Sequence, residues 1–166
     1  GITTRTISKT TQDVFAQTSV LDIKGYDLHD NRALAPHQDL VTVAAEEQEV
    51  YKTIPQLEKA ITARDAADIN RRGKLAVFIG VEHGYPIGND LSNVEKFYKL
   101  GARYITLCHT RNNDLCDSST DSTEHNGVTP LGYRVIEEMN RLGMLIDVSH
   151  ISDKSFYDAI KASKTP

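Results

Sequence analysis

Between Lys74 and Ala162 short apolar runs alternate with amphipathic stretches, and this alternation constrains the fold more than any other feature of the chain. Leu75-Ala-Val-Phe-Ile-Gly-Val81 is apolar on both faces, as a buried parallel strand must be. Asp90 or Ser92 can cap a helix carrying Leu91, Val94, Phe97, Tyr98 and Leu100 on one side, and Gly101 stands where a helix-terminating glycine belongs. The cycle repeats. Residues 103–109 read as a strand, a long polar loop follows to Val128, and Pro130 to Leu142 reads as a helix capped by Thr129 and ended by Gly143. A third strand over 144–149 leads to a third helix from Ser152-Asp153 to about Ala162. At least three consecutive strand–helix units with short returns predict an α/β architecture with a parallel sheet and right-handed crossovers.

The N-terminal part is less legible. Residues 1–40 show no sustained period, and 1–55 stays an unassigned segment. From Gln56 to Arg72 the apolar positions Leu57, Ala60, Ile61, Ala67 and Ile69 follow a rough helical stripe, so a helix is expected there. The assigned unit runs from 56 to 166. A net charge of −4 with no Lys/Arg run longer than two residues excludes the basic footprint that nucleic acid requires. No apolar stretch reaches the ~18–20 residues that span a bilayer.

The candidate chemistry sits where the strands end. Glu82-His83 follows the first, His109 the second, and His150 the third after Asp147. In parallel α/β proteins the C-terminal strand ends form the functional face. Glu82 is the strongest candidate, because a carboxylate following an apolar run is costly to bury without a cation, and a metal ion is the simplest one. Alternation turns the adjacent His83 to the opposite face, which gives it a structural reading. Cys108 and Cys116 flank His109, but their spacing does not match the C-x2-C pairs of thiolate zinc sites. The loop from Arg111 to Asn126, with Asp114, Asp117, Asp121, Glu124 and His125, reads most simply as a solvated lid or crossover.

Together these residues resemble the renal (membrane) dipeptidase family of zinc peptidases. The resemblance rests on Ala76-Val-Phe-Ile-Gly-Val-Glu-His-Gly84, on Leu100-Gly-Ala-Arg-Tyr-Ile-Thr-Leu-Cys-His-Thr110, and on Gly127-Val-Thr-Pro-Leu-Gly132. It continues through Glu137-Glu-Met-Asn-Arg-Leu-Gly-Met-Leu-Ile-Asp-Val-Ser-His150 and Ser163-Lys-Thr-Pro166, covering about 64–166, whereas residues 1–60 do not match. It implies part of a metal-dependent (β/α)8 barrel that hydrolyses dipeptides with a hydroxide held between two zinc ions. On this reading Glu82 bridges the ions, His150 ligates the second, and His109 contacts substrate and stabilises the tetrahedral intermediate. Metal pairs ~3.5–4 Å apart provide such a nucleophile at neutral pH, and an imidazole at the carbonyl oxygen stabilises charge that develops in the transition state.

Departures from the family pattern accompany the match. Its H-x-D ligand pair has a counterpart in spelling only, His37-Gln-Asp39, which follows Ala-Pro instead of a strand-like run. Groups that later strands would supply lie beyond Pro166, so the chain is expected to be part of a longer polypeptide. The remainder of the barrel or a second copy of the chain is then expected to cover the open sheet edges. Two other readings use the same residues: a related barrel cleaving another amide or ester, and a catalytically inactive relative or fragment acting as an interaction domain.

Overall fold

The computed structural model describes residues 51–52 and 54–164. In chain order these form β1 (Leu57–Lys59), α1 (Ala63–Arg71), β2 (Leu75–Val77), β3 (Ile79–Val81), a 3-10 turn (Tyr85–Ile87) and α2 (Ser92–Leu100). β4 (Ala102–Thr106), α3 (Pro130–Leu142), β5 (Leu145–Asp147) and α4 (Asp153–Ala162) follow. The named strands pair in parallel among the described residues, β1 with β2, and β3 with β4 with β5 in that order. The α/β reading with three consecutive strand–helix units holds.

Two elements differ from the expectation. The helix expected over 56–72 begins only at Ala63, because Leu57–Lys59 pairs with Leu75–Val77 as β1. The helix start was written in the chain as Thr62-x-x-Asp65. The Thr62 hydroxyl accepts the Asp65 N–H at 3.1 Å while the Asp65 carboxylate accepts the Thr62 N–H at 2.8 Å, satisfying two donors that a helix end otherwise leaves open. The apolar run 75–81 is likewise two strands, β2 facing β1 and β3 facing β4, with Phe78 between them.

Between the pairs Ile79↔Ala102 and Gly80↔Tyr104 the register slips by one residue and leaves Arg103 as the extra residue of β4. Its guanidinium donates to the carbonyls of Ile61 (2.8 Å), Tyr98 (3.0 Å) and Ala102 (2.7 Å) and lies over the Tyr98 ring. One side chain thus ties the irregularity to the end of α2 and the start of α1.

α3 and α4 begin at the hydroxyls their sequences offer, whereas α2 starts after Leu91 without a side-chain cap on its N-cap residue, the Asp90 carboxylate instead accepting the Ser92 N–H at 3.0 Å. Thr129 accepts the Gly132 N–H at the head of α3, Ser152 accepts the Ser155 N–H at the head of α4, and Gly101 (φ 111°) and Gly143 (φ 74°) adopt left-handed conformations at the ends of α2 and α3. Ile79, Val81 and Ile105 of the strands pack with Val94 and Phe97 of α2 and Val135 and Met139 of α3 in one buried cluster. Leu107, Cys108, Cys116, Val128, Ile136, Ile151 and Ala159 form a second, which seats the long loop and α4. Side-chain alternation puts Tyr104 and Thr106 on the face of β4 opposite Ile105. β5 has no partner on its outer side among the described residues, and Leu145, Phe156 and Ile160 are exposed around that edge.

The loop is pressed onto α3 so closely that a β-carbon on Gly132 would lie 2.1 Å from the Leu115 carbonyl oxygen and 2.8 Å from a Val128 methyl. Helix propensity alone favours Gly132→Ala by up to ~1 kcal/mol. Overpacking against rigid backbone reverses the sign, and the variant is expected to lose ~1–3 kcal/mol, read as a lower urea midpoint at unchanged slope.

Candidate metal centre at the strand ends

The register of the parallel sheet explains why its ends meet. Val81, Ile105 and Ile146 lie side by side across β3, β4 and β5. Glu82 follows Val81 directly, while His109 and His150 each stand four positions past their register partner (105 to 109, 146 to 150). Equal extension brings the two imidazoles together, with ring centres 4.4 Å apart and planes inclined at 69°. Their Nε2 atoms stand 3.6 Å (His109) and 3.7 Å (His150) from one Glu82 carboxylate oxygen.

One donor atom from each residue falls within 4.8 Å of the others, so the three side chains can face one ion. The separations from Glu82 exceed hydrogen-bonding range. They suit a shared cation: donors each about 2.1 Å from a tetrahedral zinc ion stand about 3.4 Å apart. An oxygen and two imidazole nitrogens are the donor types such an ion takes. The cluster is partly open to solvent, with the three side chains between 25% and 40% exposed.

Nearby groups are committed to holding this rim together. Asp147 accepts the Thr106 hydroxyl at 2.6 Å, locking β5 to β4, and its other oxygen accepts the Ser149 N–H and hydroxyl at 3.0 and 2.7 Å. The turn so formed delivers His150 with φ 67°, a conformation that a non-glycine residue keeps only when its surroundings enforce it. His83 also has positive φ (72°) and lies outside the cluster. It is buried beside Asn113, whose side-chain nitrogen lies 3.1 Å from Nδ1. Burial first, and the neighbouring His109 second, push its pKa down to about 4, so at neutral pH it is an uncharged packing group.

Cys108 and Cys116 are buried free thiols. The hydrogen bond between the Cys116 thiol and Cys108, together with burial, pushes the Cys116 thiol far above its ordinary range. Neither thiol belongs to a group of three or more metal-ligating side chains among the described residues. His37 and Asp39 lie outside the described residues.

The loop 111–126 corrects the expectation of a solvated lid. Asn112, Asn113, Asp117 and Ser118 are buried in it. The Asp117 carboxylate accepts the backbone N–H groups of Glu124 (3.2 Å), His125 (2.9 Å) and Gly127 (3.0 Å), closing the loop on itself. The Asn113 side chain works the same way, accepting the N–H groups of Leu115 and Cys116 and donating to the Leu107 carbonyl. The density of Asn, Asp, Ser and Thr was visible in the chain, but which of them turn inward depends on contacts with β4, α3 and α4.

Parallel strands joined through helices, with a carboxylate and two imidazoles converging at their C-terminal ends, are the architecture of a β/α barrel with a candidate metal centre. The family model for membrane dipeptidase (peptidase family M19) matches residues 20–166, and the chain belongs to that family. The match takes in residues from 20 onward that the sequence motifs had left outside it. The chain is 41% identical over 112 residues to dipeptidase tcpJ of Claviceps purpurea, covering 67% of this chain and 26% of that protein. It is 37% identical over 138 residues to dipeptidase 3 of Rattus norvegicus, covering 78% and 28%. Among solved structures, the probable dipeptidase PvdM of Pseudomonas aeruginosa aligns with a TM-score of 0.71 at 30% identity, over 78% of this chain and 34% of that one. The chain therefore spans about a quarter of the length of these curated relatives and forms part of a barrel.

The Asp117 knot generates a pH-dependent prediction. Burial raises its carboxyl pKa, but the three N–H donors outweigh burial and hold it below the usual value. A depressed folded-state pKa adds stability that is present at neutral pH and disappears as pH falls through that value. Asp117→Asn is expected to cost ~2 kcal/mol at pH 7. The gap between wild type and variant should close below about pH 4, followed by urea unfolding at several pH values.

Proposed function

We propose that the protein carrying this chain is a zinc-dependent dipeptidase, and that Glu82, His109 and His150 are part of its active centre. The observation that carries this reading is the convergence of these three donors at adjacent strand ends in a chain of the membrane dipeptidase family. Glu82 and His150 would hold the zinc, the Glu82 carboxylate and the His150 imidazole each offering one donor atom toward the same point. Bound zinc supplies Lewis acidity for the scissile carbonyl and a hydroxide nucleophile at neutral pH. His109, beside both, is assigned to the substrate: its imidazole N–H donates to the carbonyl oxygen as negative charge grows there. Water adds across the peptide bond and two amino acids leave. The relatives named dipeptidases, 37–41% identical, favour dipeptides over other amides.

Equal distances from Glu82 to the two imidazoles favour one other assignment, with His109 as a third metal ligand. Substitution separates the two. In the natural full-length protein, Glu82→Ala is expected to abolish both zinc retention and dipeptide turnover, measured by elemental analysis and amino-acid release. Zinc at the wild-type stoichiometry with undiminished turnover in that variant would sink the proposal. His109→Ala is expected to keep its zinc and to lose ~10²–10³-fold in kcat. A zinc-free His109→Ala protein would place His109 among the ligands.

A further inference from the structure

Ser118 occupies a position that the family reading does not explain. It is only 3% exposed, and its hydroxyl lies between the main-chain carbonyls of the two clustered histidines, 2.6 Å from that of His109 and 3.3 Å from that of His150. Its single proton can be shared between them. The neighbouring Ser119 N–H donates to the His150 carbonyl at 2.8 Å.

We propose that Ser118 is a positioning residue that sets the spacing of His109 and His150 for metal and substrate; the inference rests on the metal-centre reading above. The two histidines come from different strands, and beyond Asp147 the β4–β5 ladder no longer pairs them. Something else must hold their main chains in register. The Ser118 hydroxyl bridges that gap, and its own backbone is immobilised from several sides. Its N–H donates to the Asn112 side-chain oxygen at 2.8 Å, it pairs antiparallel with Ile151, and the preceding Asp117 accepts the Ser152 N–H at 2.9 Å through its carbonyl. The Asp117 carboxylate closes the loop behind it.

The need for such a brace follows from His150 itself. Its left-handed backbone is strained for a residue other than glycine and relaxes when the restraint is removed. A hydroxyl is small enough for the interior and directional enough to fix two carbonyls at once. An alanine there would leave the His109 carbonyl without this donor and the His150 carbonyl with the Ser119 N–H. Groups that orient metal ligands typically change metal affinity ~10–100-fold when they are lost.

The test uses the natural full-length protein, stripped of metal and titrated with Co²⁺, whose visible ligand-field bands report both affinity and ligand geometry. Ser118→Ala is expected to bind Co²⁺ at least ~10-fold more weakly with altered bands. Ser118→Thr, which keeps the hydroxyl, is expected to stay near wild type. Thr129→Ala is the control: it also removes a buried hydroxyl, one that donates to the Asp114 carbonyl and caps α3, so it should lower Tm without changing Co²⁺ binding. Wild-type affinity and bands in Ser118→Ala would overturn the proposal. So would equal losses in Ser118→Ala and Thr129→Ala, or in Ser118→Ala and Ser118→Thr. If Ser118→Ala does not fold, Ser118→Cys, whose thiol is a weaker donor, replaces it with the same expectation. A wild-type protein that takes up no Co²⁺ would overturn the metal centre itself and this inference with it.

Discussion

Parallel pairing of β3, β4 and β5 is the constraint on which the rest of the molecule depends. With Val81, Ile105 and Ile146 in line, all three strands deliver their following residues to one rim, and the helices are confined to the other side of the sheet. The rim then collects groups that would repel or desolvate one another in an apolar interior. A carboxylate and two imidazoles held just beyond hydrogen-bond distance form an arrangement that a cation would stabilise. Shifting β4 by one residue would turn His109 to the other face and dissolve the site.

The connections after the strands are as ordered as the strands themselves. Asp117 uses the charge of a buried carboxylate to gather three backbone N–H groups, and Asn113 does the same with an amide. Such networks are costly when half satisfied and rigid when complete. Here they turn a long polar connection into a wall of the site. Packing of Gly132 against Leu115 fixes that wall to α3, and Ser152 with Ser155 fixes it to α4.

Family membership and geometry bear on different parts of the functional argument. Membership rests on a match across most of the chain, and it is the ground on which the reaction is proposed. Geometry says which side chains of this chain can take part, and it adds supporting residues that motif comparison passes over. The free outer side of β5, with Leu145 and Ile160 exposed beside it, is the kind of apolar edge that a further strand–helix unit covers in a barrel.

The sequence by itself determined the α/β class, three helices with the Thr129 and Ser152 caps and the glycines that end α2 and α3, and the placement of Glu82, His109 and His150 at strand ends. These rest on local physics: apolar runs, capping hydroxyls, left-handed glycines and polar residues at the close of a strand. It misread Leu57–Lys59 as helix, because the Leu75–Val77 partner that makes those residues a strand is distant in the chain. Only tertiary structure decided that a polar loop would be buried, that Asp117 would face inward and that one serine hydroxyl would lie between two histidine carbonyls. Those outcomes depend on distances between segments brought together by β-pairing, and no periodicity within a single segment encodes them.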